Sequence, residues 1–267
     1  MALAADQCIC LRKLEYSETS QILTLFSRQH GIVRVLAKGA HRRTKAGSGR
    51  FDGGIDLLDE GAAVFTSDPA QELATLAEWK LCEGHLDLRK SLRGLYLALY
   101  AAEWISLLFE QRDPHADAFD RFQRLLGALP TEQREEIFLA FELDLLRDAG
   151  FLPQLQSCAS CGSNCGEKGD VYFAPSRGAV VCRNCEGSFP DRLALDARLL
   201  RLVQQIQSPT IAASPERLPR LSRHQTDPLN RLFAAHVEYA LGRRLRMARY
   251  VLGAGGRERP QPAARGA

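Results

Sequence analysis

Over the first eighty residues the hydrophobic positions come in short, β-branched runs separated by turn signals. Cys8–Glu15 is a first apolar-leaning run, and Gln21–Arg28 alternates Ile22, Thr24 and Phe26 with its other residues. His30-Gly31 marks a turn into Ile32–Ala37, which is rich in valine and isoleucine. A glycine-containing loop, Lys38–Gly54, leads to runs at Ile55–Glu60 and Gly61–Ser67. After the Asp68-Pro69 turn, a last run covers Leu73–Leu81. About five short strands at this spacing predict a small barrel or sandwich.

From Leu86 the period changes to that of a helix. Leu88, Leu92, Leu95, Leu99, Trp104 and Leu108 recur among apolar neighbours, which predicts a helix buried on most sides and ended by Asp113-Pro114. A second helix is expected over Ala116–Leu129, stopped by Pro130. A third runs from an N-cap at Thr131 to Ala149, with Gly150 as its stop. After a cysteine-rich stretch come helices at Asp196–Ile206 and from Asp227, with Pro228 at the first position. The order is a β domain at 1–81, a helical domain in two parts at 82–157 and 191–252, an insert at 158–190 and a disordered tail at 253–267. The fold class is therefore α+β.

Composition narrows the class without identifying it. The 267 residues are 45% hydrophobic and 25% charged, ordinary for a globular chain and too apolar for disorder. No run reaches the ~18 apolar residues of a membrane span. The segment MALAADQCIC lacks a basic stretch followed by an apolar core, so a cytoplasmic location is expected. In that compartment, paired cysteines point to metal or redox chemistry before disulfides.

Cys158-Ala-Ser-Cys161 and Cys182-Arg-Asn-Cys185 form two C-x2-C knuckles separated by 20 residues. Each knuckle sets two thiolates on one turn, and two knuckles close the tetrahedron that Zn²⁺ prefers. Four sulfur ligands leave no open position, so one structural Zn²⁺ is expected on Cys158, Cys161, Cys182 and Cys185. Gly162 and Gly187 stand where tight turns want glycine. Cys165 extends the first knuckle to C-x2-C-x3-C, a form that iron–sulfur clusters use, and that alternative stays open at this stage. Cys8 and Cys10 share one face of a strand and are expected to be buried thiols. Cys82 with His85 makes a C-x2-H pair with nothing nearby to complete a site.

The net charge of +3 hides a segregation. Between Glu18 and Asp52 there is no acid, and Arg34, Lys38, Arg42, Arg43, Lys45 and Arg50 follow one another with His41 among them. Such a run on a strand and a glycine-containing loop can track a phosphate backbone. Arg243, Arg244, Arg246 and Arg249 form a second run, with no acid between Glu238 and Glu258. On the last helix these arginines would either meet nucleic acid or complement the helix dipole. Phe26, Phe51 and Phe65 are candidates for base stacking or for the core. No phosphate-binding glycine loop, dinucleotide fingerprint, H-E-x-x-H or G-x-S-x-G elbow is present, and His236 lies among apolar helix positions as a core residue would. The expectation is a protein that is not an enzyme and takes no small-molecule substrate.

Three blocks carry a resemblance to a known family. The first is Tyr16-Ser17-Glu18-Thr19-Ser20-Gln21-Ile22-Leu23-Thr24-Leu25-Phe26-Ser27, with His30-Gly31 and Val35–Arg43 after it. The second is Leu145–Pro153 leading into Cys158-x2-Cys161-Gly162, and the third is the Cys182-x2-Cys185 knuckle. In these the chain resembles the RecO family of bacterial recombination-repair mediators. The resemblance implies an N-terminal five-stranded OB-fold barrel, an all-α domain and a small zinc-finger insert with four cysteine ligands. It also implies binding to single- and double-stranded DNA, annealing of complementary strands, and action with RecR and single-strand-binding protein (SSB) to load RecA. An RNA-binding protein of barrel and zinc element, or an interaction scaffold without intrinsic DNA activity, would fit the same residues.

Overall fold

The computed structural model describes residues 2–39, 51–52, 54–66, 68, 71–165, 170–207 and 218–252. The chain divides into two compact units, Met1–Glu132 and Gln133–Ala267.

The first unit is built on β1 (Leu3–Glu15), β2 (Ser20–Ser27), β3 (Gly31–Lys38), β4 (Phe51–Asp52), β5 (Glu60–Thr66) and β6 (Ala74–Glu83). The strand order is β3-β2-β1-β5-β6, and a parallel contact of β3 with β6 closes it into a five-stranded barrel, with the two-residue β4 alongside β6. β1 is long because it serves two neighbours, pairing β5 through Leu3–Ile9 and β2 through Cys8–Glu15. This is the OB-fold barrel expected from the resemblance. Alternate residues fill it: Cys8 and Cys10, Leu23 and Leu25, Val33 and Val35, Ala63 and Phe65.

Two expectations need correction. In Gln21–Arg28 the inward residues are Leu23 and Leu25, one step out of phase with Ile22, Thr24 and Phe26. Phe26 instead packs outside the barrel on Phe109 and Phe119. Ile55–Asp59 is a turn with Leu58 at φ 69°, not a strand.

Two helices complete this unit, α1 (Leu92–Leu108) and α2 (Ala116–Ala128). Ser91 caps α1 by accepting from the Gly94 N–H at 3.1 Å. The Arg28 guanidinium donates twice to the Asp120 carboxylate, at 2.8 and 2.9 Å, and the Gln123 amide donates to Glu60 at 2.7 Å, so α2 is tied to β2 and β5.

The second unit holds α3 (Arg134–Asp148), a three-stranded sheet of β7 (Val171–Ala174), β8 (Ala179–Cys182) and β9 (Leu193–Leu195), then α4 (Ala197–Ile206), α5 (Arg223–Leu241) and α6 (Ala248–Val251). α3 starts at an N-cap of Gln133 rather than Thr131 and ends as expected at Gly150 (φ 77°), where the Phe151 N–H reaches the Leu146 carbonyl. α5 begins a turn before Asp227. Ser222 and Gln225 form a capping box, which places Pro228 inside the helix.

His236 on α5 ties this unit together. It is buried, with Nδ1 3.1 Å from the Pro175 carbonyl beyond β7 and Nε2 3.1 Å from the Phe151 carbonyl beyond α3. A Cβ at Gly178 would lie 2.4 Å from its ring, so the β7–β8 turn needs glycine there, at φ 58°.

Glycine has a similar role in the barrel. A Cβ at Gly61 would sit 2.5 Å from the buried Trp79 ring and 2.7 Å from the Lys80 carbonyl, whereas one at Gly127 in α2 meets nothing within 4 Å. Gly61→Ala is expected to destabilise the first unit by about 1–3 kcal/mol through overpacking. Gly127→Ala is expected to stabilise it by about 0.5–1 kcal/mol. Thermal unfolding followed by circular dichroism checks the opposite signs, and equal shifts for the two variants would contradict the packing argument.

Candidate metal centre and basic surface

The first knuckle is a turn made by backbone hydrogen bonds. The Gly162 N–H donates to the Cys158 carbonyl at 2.9 Å and the Cys158 N–H to the Ser163 carbonyl at 2.8 Å, with Gly162 at φ 73°. The Ala159 N–H donates to the Val180 carbonyl, which fastens this turn to β8. Cys182 is the last residue of β8, and the second knuckle turns directly from it through the Cys185 N–H to the Cys182 carbonyl at 3.0 Å. Gly187 falls in a short 3-10 turn without a positive φ, so its glycine is not required there as expected.

Strand β8 thus brings the knuckles face to face. The four sulfurs of Cys158, Cys161, Cys182 and Cys185 all lie within 4.8 Å of one another. Cys161 and Cys182 are 3.7 Å apart. A tetrahedral divalent ion with metal–sulfur bonds of about 2.3 Å has sulfur–sulfur edges of about 3.8 Å. The four cysteines could hold one metal ion.

Electrostatics favours the same conclusion. Burial opposes ionisation of Cys158, yet the N–H groups of Cys161, Cys182 and Ser160 aim at its sulfur and bring its pKa down to about 6. The Ser163 hydroxyl, 3.0 Å away, and the Ser163 N–H lower that of Cys161. Cys185 goes the other way. Although the Ser160 hydroxyl favours its thiolate, the sulfurs of Cys161, Cys182 and Cys158 push it up to about 12. The N–H groups and the Ser163 hydroxyl thus favour the thiolate at Cys158 and Cys161, while Cys185 keeps its proton in hydrogen bonds to the neighbouring sulfurs, a proton that a bound cation would displace. Ser160 and Ser163 escaped the sequence reading, although serine inside or just past a C-x2-C turn is a visible signal.

Cys165 is not part of this group. Burial, then the charges of Cys158, Cys182 and Cys161, pushes its thiol up to about 11, and it donates to the Ser163 carbonyl. Cys8 and Cys10 are core thiols whose pKa values are raised by desolvation, Cys10 to about 12. The exposed Cys82 completes no metal group with His85 among the described residues.

Of the basic residues, Arg34 is half-buried on β3 opposite Thr24, and Lys38 is exposed at the end of that strand. Arg42, Arg43, Lys45 and Arg50 lie outside the described residues, as does the expected tail at 253–267. Phe65 is in the barrel core and Phe51 packs against it, so with Phe26 all three aromatics have packing roles. Arg243, Arg244 and Arg246 are exposed, but they are not in the last turns of a helix. α5 ends at Leu241, Gly242 adopts φ 63°, and the arginines follow it, where the dipole fades.

Two family models match this chain, Recombination protein O N terminal over residues 1–85 and Recombination protein O C terminal over residues 89–248. It is similar to proteins named DNA repair protein RecO. That of Anaeromyxobacter sp. (strain Fw109-5) is 32% identical over 249 residues, 91% of this chain and 93% of the relative. That of Rhodopirellula baltica is 34% identical over 235 residues, 85% of each chain. That of Symbiobacterium thermophilum is 28% identical over 257 residues, 94% of this chain and 97% of the relative.

Because the ligands must be deprotonated, a metal on this site should leave as pH falls. The purified chain is expected to carry one divalent metal, and Cys161→Ser and Cys182→Ser each to lose it, with the Cys165→Ser content unchanged. Elemental analysis of the variants reads this directly, and iron with visible absorbance would point to a cluster instead.

Proposed function

The chain belongs to the RecO family, and on that premise we propose that it is a DNA-binding recombinational-repair mediator. In this reading it binds single- and double-stranded DNA, anneals complementary strands and, with RecR, helps load RecA onto SSB-coated DNA. RecR and SSB are direct partners and RecA an indirect one. It works without catalysis in the cytoplasm, at the nucleoid. The observation that carries the reading is the family match over nearly the whole chain, joined to an acid-free run of cations in the sequence that begins on β3 of an OB barrel. Among the described residues no helix is long and apolar enough to cross a membrane.

The proposed DNA contacts are Arg34, Lys38, Arg42, Arg43, Lys45 and Arg50 on the first unit and Arg243, Arg244 and Arg246 on the second. Two complementary strands repel each other, and cations that neutralise phosphates lower that barrier without reading sequence. The metal in this reading is one Zn²⁺ on Cys158, Cys161, Cys182 and Cys185. It fixes the insert at 158–190 between the helical parts at 82–157 and 191–252, and its closed thiolate shell leaves no position for chemistry.

If about five loop cations meet phosphates, single-strand affinity should fall with log salt at a slope of roughly −3 to −4. In an annealing assay with and without SSB-coated strands, the wild type should anneal both. Arg42→Glu/Arg43→Glu should lose binding and annealing together. Unchanged binding of both DNA forms by that variant would remove the loop from the site, and a preference for RNA of the same sequence would favour an RNA-binding role.

A further inference from the structure

The segment after α5 does not trail away from it. The Leu245 N–H donates to the Glu238 carboxylate at 2.8 Å, and the Arg231 guanidinium donates to the Leu252 carbonyl at 2.6 Å. Residues 245–252 therefore run back along α5 between two anchors seven residues apart on the helix, about 10 Å. Val251 and Leu252 are buried, as is Leu245. Glu238, the only acid between Asp227 and Glu258, is engaged by the fold itself. What the hairpin turns outward is Arg243, Arg244, Arg246 and Arg249, all exposed.

Two large aromatic side chains are exposed on the same hairpin, one near each anchor. Tyr239 has 61% of its surface accessible and Tyr250 46%. The Arg249 guanidinium lies 4.5 Å from the Tyr250 ring centre and donates to its hydroxyl at 2.6 Å, which steadies that ring at the surface. Exposed rings set among arginines are the elements of a single-strand site, since every base has a face to stack and every nucleotide a phosphate to pair.

We propose that the α5–α6 hairpin is a single-strand-binding site in its own right, in which Tyr239 and Tyr250 stack bases while Arg243, Arg244, Arg246 and Arg249 hold the phosphates. This rests on the DNA-binding reading above and adds to it a base-stacking site in the second unit. A duplex, whose bases are already stacked, gains from the arginines alone, so the tyrosines give this site its preference for unpaired DNA.

The test uses the full-length, metal-loaded chain and two oligonucleotides of equal length and charge, oligo-dT and an abasic spacer strand, with fluorescence anisotropy as readout. Tyr239→Ala/Tyr250→Ala should weaken binding of oligo-dT about five- to thirtyfold. Binding of the abasic strand should change less than twofold, and Tyr239→Phe/Tyr250→Phe should bind like the wild type. Irradiated 5-iodouracil oligonucleotide should cross-link to peptides containing Tyr239 or Tyr250. Equal affinity of the alanine variant and wild type for oligo-dT, equal loss on both strands, or cross-links confined to the first unit would each overturn the proposal while leaving DNA binding intact. A wild type that binds neither strand would overturn the DNA-binding reading as well.

Discussion

The first unit depends on a small contact, the parallel pairing of Val35 and Leu36 on β3 with Ala74 and Thr75 on β6. Without it the sheet would be open along both strands and would present two unpaired edges. Arg112, just past α1, supports both sides of this closure. Its N–H donates to the Ile32 carbonyl on β3 at 3.0 Å, while its guanidinium donates to the carbonyls of Asp68 and Gln71 in the β5–β6 loop. Arg112 does so from the left-handed region, φ 64°, a conformation that costs a non-glycine residue about 1–3 kcal/mol. Closure also fixes where β3 ends, and so where Lys38 leaves the barrel and the basic loop begins.

The second unit meets a different constraint. Its three-stranded sheet is too small to bury a core of its own, and it relies on two attachments. At one end is His236, whose ring nitrogens face carbonyls from two separate segments. At the other end are the knuckles, where the Cys182 N–H points at the Cys158 sulfur, 3.4 Å away. The sulfurs are gathered by the fold at distances that like charges would oppose, so the site and the fold around it are one cooperative unit.

How much of this the sequence revealed follows from which features are local. The knuckles and the β-to-α change of period were legible because each is a spacing rule satisfied within a few residues. The phase of β2 was not. A strand buried on both faces loses its alternation, and Phe26 is covered outside by Phe109 and Phe119, far along the chain. The start of α5 was misplaced because Asp227-Pro228 imitates a helix start, whereas Ser222 and Gln225 carry the actual capping box. The helical reading fails for Arg243, Arg244 and Arg246 because Gly242 is the stop signal, while Arg249 lies on the short α6. Exposure of Tyr239 and Tyr250 depends on how the chain folds back after α5, which no local pattern states.

Net charge is a poor guide to this molecule because many of its cations are already committed. Arg28 is held by Asp120, Arg147 by Asp144, Arg183 by Asp170, Arg192 by Glu186 and Arg223 by Asp227. To meet a phosphate, each would first have to give up its carboxylate, exchanging one charge-assisted pair for another at little gain. Among the described residues, Arg34, Lys38, Arg243 and Arg244 have no such partner. A phosphate neutralised by one of these releases a counterion without displacing a carboxylate, so its full share enters the binding free energy. Both units carry such residues. The total of +3 therefore counts paired and unpaired cations alike, and residues such as these four, not the total, would set the attraction to a polyanion.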